Sequence, residues 1–147
     1  MKEMMTRWLT DPAVDDQTRA EVASIAENEE EILSRFGACL SFGTAGLRGI
    51  IGAGTNRMNI YVVRQATQGL ADLILSMGSH AAERGVVVGH DCRILSREFA
   101  VESCRVLVAN GIKAYLFDEL RPTPEVSFAI LRVDCIHRLE FGHDCHI

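Results

Sequence analysis

The sequence predicts an α/β protein with three layers, and three observations indicate this class. The unbroken run Gly85-Val-Val-Val-Gly89 is typical of a strand that is buried on both faces of a sheet. A helical segment follows at 97–110, and a second apolar run, Ile112-Lys-Ala-Tyr-Leu-Phe117, follows that helix. A strand, a helix and a strand within about thirty residues form a βαβ unit, which implies two parallel strands joined by a right-handed crossover.

The first 35 residues predict an acidic, mostly helical arm. They contain nine acidic and four basic residues, which accounts for the whole formal net charge of −5. Side chains at roughly helical spacing within 17–35 are Val22, Ile25, Ile32 and Leu33. Glu27 and Glu29–Glu31 are expected on the solvated side of the arm. A solvated helix face is favoured over a surface that attracts a basic partner, although both are compatible with the charge run.

A long amphipathic helix is predicted from about Asn59 to Met77. One face of it is formed by Ile60, Val63, Ala66, Thr67, Leu70, Leu73, Ile74 and Met77. Gly78 is expected to end this helix, because glycine readily adopts the left-handed conformation that follows many helices. Before the helix, the short apolar stretch from Leu47 to Ile51 favours a strand that leaves a loop.

Capping residues mark the ends of the later helices. Ser96 is a suitable N-cap for the helix at 97–110, and Gly111 is predicted at the position after its C-cap. Pro122-Thr-Pro124 opens a third helix that extends through Ile130, with Pro124 near the first helical turn. These elements support the α/β class with helices on both faces of the sheet.

Composition and charge exclude several classes of protein. The 147 residues are 48% hydrophobic and 24% charged, which is typical of a soluble globular domain and not of a disordered tail, a collagen or a disulfide mini-protein. Fifteen basic against twenty acidic residues disfavour a nucleic-acid partner. The chain lacks an apolar run of membrane-spanning length, and its polar start lacks a signal-peptide core, so we expect no membrane partner and a cytoplasmic location. The five scattered cysteines predict free thiols in a reducing compartment.

Three polar segments are expected at the carboxyl ends of strands, where parallel α/β sheets bind ligands. The first is Phe42-Gly-Thr-Ala-Gly-Leu-Arg-Gly49. Gly43 and Gly46 allow backbone N–H groups to approach an anion closely. Thr44 offers a hydroxyl, and Arg48 offers a planar guanidinium for phosphate. A glycine-rich turn with a surface arginine is an equally good interpretation, because neither the G-x-G-x-x-G fingerprint nor the Gly-Lys-Ser/Thr ending is present.

The second segment is Gly89-His-Asp-Cys-Arg93-Ile-Leu-Ser96, which leads from the buried strand to a helix. Asp91 and Arg93 are suited to organising each other or a ligand. The structural alternative is that Asp91 braces loop amides and Ser96 only caps the helix. His90 beside Asp91 suggests acid–base chemistry, but an ordinary loop histidine is favoured, because no nucleophile lies nearby in the sequence.

The third segment, Arg121-Pro-Thr-Pro-Glu125, is a rigid turn after the second clear strand. Two prolines make it stiff, which suits the positioning of a loop. A plain helix entry is the alternative.

Four stretches of the chain match one known family in length and order. They are Phe42-Gly-Thr-Ala-Gly-Leu-Arg-Gly-Ile-Ile-Gly-Ala-Gly-Thr-Asn-Arg-Met-Asn59, Ala66-Thr-Gln-Gly-Leu70, Asp91-Cys-Arg-Ile-Leu-Ser96 and Arg121-Pro-Thr-Pro124. From about Trp8 to Ile130 the chain resembles the phosphoglucomutases of the α-D-phosphohexomutase superfamily, in its bacterial and phosphoglucomutase-2-like branch. The resemblance implies the first domain of that family, a three-layer α/β/α domain with a mixed, largely parallel sheet.

The resemblance also implies a chemistry. In this family a phosphoserine passes its phosphoryl group to a hexose phosphate, and the resulting bisphosphate returns its other phosphate to the serine. Magnesium lies beside the phosphoserine and is held by aspartates of the second domain. The resemblance implies that an intact relative interconverts glucose 1-phosphate and glucose 6-phosphate. It assigns Thr44 and Arg48 to the surroundings of the phosphoserine, and Asp91, Arg93 and Ser96 to a loop near the active cleft.

The chain departs from the family after Ile130. The family motif Thr-Ala-Ser-His-Asn-Pro, which contains the nucleophilic serine, does not occur in the sequence, and neither do the magnesium aspartates or the sugar-recognition loop. We therefore expect an arm at 1–35, an incomplete domain I at 36–133 and a divergent tail at 134–147. The loss of the strand after Ile130 predicts an unpaired sheet edge and a marginal, aggregation-prone domain. The chain alone is expected to be inactive, and a non-catalytic module that binds phosphate or a sugar phosphate, or that regulates other chains, is the alternative.

The predicted tail is rich in potential zinc ligands, namely Cys135, His137, His143, Cys145 and His146. Cysteine and histidine are the usual ligands of zinc, but this spacing is not that of a standard finger, so no metal site is assigned. The favoured hypothesis is an out-of-frame or otherwise aberrant tail that arose from a frameshift or an early stop.

Overall fold

A computed structural model describes residues 1–43, 46–47 and 49–141 of the chain. The helices and strands of these residues are α1 Lys2–Thr10, α2 Asp16–Ser24, α3 Glu29–Phe36, β1 Phe42–Gly43, β2 Gly46–Leu47, α4 Ile60–Ser76, α5 Ser79–Arg84, β3 Val86–His90, α6 Ser96–Ala109, β4 Ala114–Leu116, α7 Thr123–Val133 and β5 His137–Phe141. They form two compact units: Met1–Val62 belongs to the first, and the described residues from Val63 onward belong to the second.

The first unit is built from three short helices around an aromatic centre. Trp8 contacts Phe36 and Tyr61 edge-to-face, with ring centroids 5.7 and 5.2 Å apart. The buried residues of this core are Met5, Trp8, Val22, Ile25, Ile32, Phe36 and Ala53. The rings and aliphatic side chains of the three helices therefore share one core, which includes the downstream residue Ala53.

The helical spacing noted over 17–35 belongs to two helices rather than one. The side chain of Asn28 accepts hydrogen bonds from the N–H groups of Glu30 and Glu31, so α3 begins with a cap of its own. Leu33 was expected among the inward-facing residues and is 61% exposed. Because α2 and α3 are separate helices, a single periodicity across 17–35 does not predict which face of α3 is buried.

The second unit is centred on a parallel sheet with the strand order β4-β3-β5. Val86 of β3 pairs with Ala114 of β4 on one side and with His137 of β5 on the other, and both pairings are parallel. Every residue of β3 is buried, as the unbroken valine run predicts. The α/β class and the parallel βαβ unit of β3, α6 and β4 are confirmed.

Helices cover both faces of this sheet. Val86 and Val88 pack into one cluster with residues of α4 and α6, such as Ile74 and Leu107. Val87 packs into another cluster with Val126 of α7 and with Cys135. Because successive residues of a strand point to opposite faces, the two clusters lie on opposite sides of the sheet. The second unit therefore has the three-layer arrangement that the sequence predicts.

The predicted helix ends are correct except at one position. The helix expected from Asn59 to Met77 is α4, and Gly78 follows it with φ of 97°. Gly111, with φ of 74°, follows the C-cap of α6 as predicted. The prediction of Ser96 as an N-cap is wrong, because Ser96 is the first residue of α6 and Leu95, with φ of 61°, occupies the cap.

The expectation that no strand follows Ile130 is wrong. β5 pairs with β3 from Val86↔His137 to His90↔Phe141 and covers the edge that was expected to be open. The N–H group of Ile136 donates to the carbonyl of Gly85 at 2.9 Å, which starts the pairing. Ile136 and Leu139 pack against the core of the sheet. The first part of the predicted divergent tail is therefore integrated into the sheet.

Two further predictions concern cysteines and the membrane. The four described cysteines, Cys39, Cys92, Cys104 and Cys135, are free thiols, as predicted. Within the described part of the chain, helices of sufficient length and apolarity to cross a bilayer are absent.

Candidate functional site

A cavity of about 480 Å³ lies where β3 and β4 end. Its lining residues are His90, Arg97, Asp118, Glu119 and Leu120. His90 is the last residue of β3, Arg97 lies in the first turn of α6, and 118–120 follow β4. Ligands of parallel α/β sheets bind at this edge, outside the carboxyl ends of the strands.

His90 is buried at the base of this edge. Its side chain is 2% exposed, and neither Nδ1 nor Nε2 has a hydrogen-bond partner among the described residues. A buried polar group without a partner costs about 1–3 kcal/mol, so an unsatisfied imidazole in a native structure needs an explanation. A neutral imidazole has one donor and one acceptor nitrogen.

The interpretation of His90 as an ordinary loop histidine is wrong. His90 is the last residue of β3 and pairs with Phe141 of β5. Its carbonyl accepts the N–H group of Arg121 at 3.3 Å. The signal available in the sequence was its position directly after Gly89, at the end of a run that is buried on both faces. Sequence reasoning also missed Arg97 in α6 and Asp118 and Glu119 after β4, because single exposed charged residues carry no signal of burial or periodicity.

The structure brings Asp91 and Arg93 of the loop between β3 and α6 together with Ser96, the first residue of α6. Asp91 Oδ1 accepts the backbone N–H group of Arg93 at 2.9 Å, and Asp91 Oδ2 lies 3.5 Å from Arg93 Nε. The N–H group of Asp91 donates to Ser96 Oγ at 3.1 Å. Asp91 therefore braces the loop, as the structural alternative predicts, and it also holds the guanidinium of Arg93.

One nitrogen of Arg93 stays unused in this arrangement. Nη1 is buried and has no hydrogen-bond partner among the described residues. Because Asp91 engages Nε, the guanidinium is oriented while Nη1 keeps its donor capacity. An oriented guanidinium N–H group is suited to an anionic oxygen, since charge-assisted hydrogen bonds are the strong ones.

The charges around the cavity are of both signs. Arg97 is exposed in the first turn of α6, a 14-residue helix whose N-terminus carries partial positive charge. Glu119 pairs with Arg121 at 3.2 Å, and Arg121 also lies 3.4 Å from Glu125, so one guanidinium serves two carboxylates. Asp118 is exposed on the same rim. Arg97 is therefore the basic side chain that lines the cavity, beside carboxylates that are only partly compensated.

The glycine-rich segment lies in the first unit. Gly43 and Gly46 pair with each other in the antiparallel hairpin of β1 and β2. Thr44 and Arg48, which the sequence analysis assigns as supporting catalytic residues, lie outside the described residues. The prediction of an anion-binding loop at 42–49 stays a prediction.

Within the described part of the chain, no group of three or more histidine, cysteine, aspartate or glutamate side chains is arranged to hold a metal ion. Of the potential zinc ligands, Cys135 is buried just before β5, and His137 is exposed in β5. His143, Cys145 and His146 lie outside the described residues.

Curated relatives of the chain are sugar-phosphate mutases by name. A probable phosphoribomutase of Schizosaccharomyces pombe is 40% identical over 132 residues, which cover 88% of this chain and 22% of the relative. A phosphopentomutase of Mus musculus is 35% identical over 130 residues, or 84% of this chain and 21% of the relative. A phosphoglucomutase of Staphylococcus saprophyticus is 40% identical over 104 residues, or 71% of this chain and 18% of the relative. The chain thus spans about a fifth of the length of these relatives.

The family model described as phosphoglucomutase/phosphomannomutase, alpha/beta/alpha domain I, matches residues 40–139. This match runs from the segment before β1 into β5, so it includes the hairpin, the loop with Asp91 and Arg93, and the strand that the sequence analysis did not expect. No solved structure gives a significant match. The chain belongs to the phosphoglucomutase/phosphomannomutase family, and its residues 40–139 correspond to the alpha/beta/alpha domain I of that family.

Proposed function

We propose that this chain binds the phosphate group of a sugar monophosphate and contributes domain I to a phosphosugar mutase. The observation that carries the proposal is the unpartnered Nη1 of Arg93, oriented by Asp91 in the loop at the carboxyl end of β3. The names of the relatives support a sugar phosphate as the ligand.

Phosphoryl transfer needs mainly positioning and the neutralisation of charge. In this proposal Arg93 donates to a non-bridging phosphate oxygen, and Ser96 and Asp91 keep its loop in place. Arg97 and the N-terminus of α6 add positive potential on the same side.

The proposed substrates are glucose 1-phosphate and glucose 6-phosphate, which the mutase interconverts. A pentose phosphate is the second candidate, because two of the relatives are named as a phosphopentomutase and a phosphoribomutase. Hexose phosphates and pentose phosphates differ in the size of the sugar, but both carry the phosphate monoester that the loop with Arg93 is proposed to bind.

The 147 residues are proposed to bind without turnover. The phosphoserine motif of the resembling family does not occur in them. A non-catalytic module that binds a sugar phosphate or regulates another chain remains the alternative function.

The test is a titration of the 147-residue chain with inorganic phosphate, glucose 6-phosphate and ribose 5-phosphate, followed by NMR amide shifts. Arg93→Gln is expected to weaken phosphate binding about tenfold or more, since it removes a charge-assisted hydrogen bond. Arg132→Gln in α7 removes the same charge outside the loop and is the matched control, with an expected change below about twofold. Equal affinities of wild type and Arg93→Gln would overturn the proposed binding role.

A coupled assay separates the mutase from the binding module. Glucose 6-phosphate formation from glucose 1-phosphate by the 147-residue chain is expected to be absent. Turnover that Arg93→Gln abolishes would refute the proposal that the chain alone binds without catalysis.

A further inference from the structure

We propose that the outer face of α7 is the interface of a weak homodimer, in which a second copy of this chain packs its own α7 against it in the antiparallel direction. The outer face of α7 consists of Pro124, Glu125, Phe128, Leu131 and Arg132, and all five residues are exposed. Two observations identify a second copy as the partner, namely apolar side chains in the middle of the face and opposite charges at its two ends. The face includes neither Arg93 nor a residue that lines the cavity, so this inference does not rest on the proposed phosphate binding.

The first observation is that α7 carries apolar residues on two opposite sides. On the inner side Val126 is fully buried, and Ala129 and Ile130 pack against the same cluster. On the outer side Phe128 is 59% exposed and Leu131 is 80% exposed. A helix at the surface of a globular protein usually presents polar residues to the solvent. Because Phe128 and Leu131 lie three positions apart, their side chains are neighbours and form one apolar patch.

The second observation is that a charge of opposite sign flanks this patch on each side. Glu125 lies about one turn before Phe128, and Arg132 lies about one turn after it. The side chain of Glu125 is 59% exposed, although Arg121 Nε lies 3.4 Å from one of its oxygens. The guanidinium carbon of Arg132 lies 5.9 Å from the centroid of the Phe128 ring. The face thus has a carboxylate at its N-terminal end and a guanidinium at its C-terminal end.

This arrangement of charge is complementary to itself when two copies are related by a two-fold axis. In a closed dimer the same patch of each copy faces the other. If the axis passes between positions 128 and 129 of two antiparallel helices, Glu125 of each copy lies opposite Arg132 of the partner subunit. A parallel arrangement would place like charges side by side. The charges therefore favour the antiparallel dimer over the parallel one.

The same axis brings the apolar side chains together. The two Phe128 side chains lie on either side of it, since this residue is half a position away. With a rise of about 1.5 Å per residue, Leu131 lies within about 3 Å of Phe128 of the partner subunit along the helix axis. The four apolar side chains of the two copies would then cover one another between the two charge pairs.

The small size of the face determines the strength of the dimer. One side of an 11-residue helix buries less than the roughly 1,200 Å² of a standard interface. We therefore expect a dissociation constant between about 10 µM and 1 mM, so the dimer is measurable only at high protein concentration.

The experiment is sedimentation equilibrium of the 147-residue chain and its charge variants. Glu125→Lys places lysine opposite arginine, and Arg132→Glu places glutamate opposite glutamate. Each single variant is expected to raise the Kd of the dimer about tenfold or more. The double variant Glu125→Lys/Arg132→Glu restores opposite charges, and its Kd is expected to return to within about threefold of wild type. Glu98→Lys makes the same change at an exposed position in the first turn of α6, and its Kd is expected to change less than about twofold.

Stability and dimerisation are expected to change differently in these variants. Both charge reversals oppose the dipole of α7, so the double variant is expected to unfold at a lower urea concentration than either single variant. Recovery of the dimer in this least stable variant would therefore not be an effect of stability. Leu131→Gln tests the apolar patch: it is expected to leave the urea midpoint unchanged, because Leu131 is exposed, and to raise the Kd about tenfold.

Three outcomes would overturn the inference. The first is a wild-type chain that stays monomeric at about 1 mM, which would leave the face to a partner other than a second copy. The second is association into particles larger than a dimer, which a closed two-fold contact does not allow. The third is a double variant that associates as weakly as the single variants.

The inference and the proposed function can fail separately. Arg132→Gln, the control of the phosphate titration, is expected to weaken the dimer and to leave the affinity for phosphate unchanged. Arg93→Gln is expected to have the opposite effect, weaker phosphate binding with an unchanged dimer.

Discussion

A Cβ atom built on Gly89 would lie 2.6 Å from Cγ2 of Val126, so β3 and α7 approach each other too closely for a side chain at residue 89. Val126 is fully buried and belongs to the cluster that also contains Val87. Because Gly89 directly precedes His90, this contact helps to determine where β3 ends beside the cavity.

Gly89→Ala is therefore expected to lower the free energy of unfolding by about 1–3 kcal/mol, because the added methyl group forces α7 or β3 to move. Urea denaturation of the whole chain measures the change. Gly69→Ala is the control: Gly69 lies in α4, and a Cβ atom there would meet no heavy atom within 4 Å. This control is expected to raise the free energy of unfolding by up to about 1 kcal/mol, since alanine is the better helix former. A stabilising Gly89→Ala would contradict the close packing.

A buried hydroxyl pair joins α4 to α6. Thr67 Oγ1 and Ser103 Oγ are 3.0 Å apart and their residues are 3% and 0% exposed. Thr67 Oγ1 donates to the carbonyl of Val63 at 2.8 Å, so the hydroxyl of Ser103 is the donor in the pair. Thr67→Val is expected to lower the free energy of unfolding by about 1–3 kcal/mol, because it leaves the buried Ser103 hydroxyl without its acceptor.

The double variant Thr67→Val/Ser103→Ala checks this origin of the cost. Its destabilisation is expected to be at least about 0.5 kcal/mol smaller than the sum of the two single effects, because both polar groups leave together. Strict additivity in urea denaturation would show that the two hydroxyl groups are not coupled.

Asp15 is expected to make the first unit sensitive to acid. The hydroxyl of Tyr61 donates to Asp15 Oδ2 at 2.6 Å and, with the N–H group of Thr18, lowers the pKa of Asp15 from 3.8 to about 2. A carboxyl group whose pKa is lower in the folded protein than in the unfolded protein stabilises the folded state. This stabilisation is complete at a pH above the unfolded-state pKa, and it is lost as the pH falls towards the folded-state pKa. Asp15→Asn is thus expected to lower the free energy of unfolding near neutral pH. The difference from wild type is expected to shrink between about pH 4 and pH 2.

Denaturation curves of wild type and Asp15→Asn over this pH range provide the measurement. Glu27→Gln, which changes an exposed carboxylate of the same unit, is expected to show a difference from wild type that varies less with pH. If the free energy of unfolding of Asp15→Asn stays below that of wild type by the same amount down to about pH 2, this would argue against the hydrogen bond from Tyr61.

The cysteines are expected to differ in reactivity. Burial raises the pKa of Cys104 to about 11 and also raises the pKa of Cys135, whereas Cys39 and Cys92 are exposed. Because the thiolate is the nucleophile, iodoacetamide at neutral pH is expected to alkylate Cys39 and Cys92 at least about tenfold faster than the half-buried Cys104 and the buried Cys135. Mass spectrometry of tryptic peptides measures each site, and denaturation in urea should remove the difference. Early labelling of Cys104 in the native protein would contradict its burial.

Much of the fold was predictable because its signals are local. The valine run, the face of α4 and the glycines after α4 and α6 reflect burial and backbone preferences that act within a few residues of the chain. β5 was not predictable in this way, because His137, Arg138 and Glu140 mix charge and polarity with single apolar residues. Its identity as a strand depends on the partner β3, which lies some fifty residues earlier.

The candidate site, too, was predictable from the sequence only in part. The sequence by itself determined the α/β class, the family resemblance and the loop that contains Asp91, Arg93 and Ser96, because each is written in a contiguous run of residues. Only the tertiary structure decided that, among the described residues, the nitrogens of His90 and Nη1 of Arg93 are buried without a partner, and that Glu21 accepts the N–H group of Ala53. These properties arise because elements that are far apart in the chain pack around a polar group and exclude water from it. Whether the group then has a hydrogen-bond partner depends on which side chains those elements bring close to it.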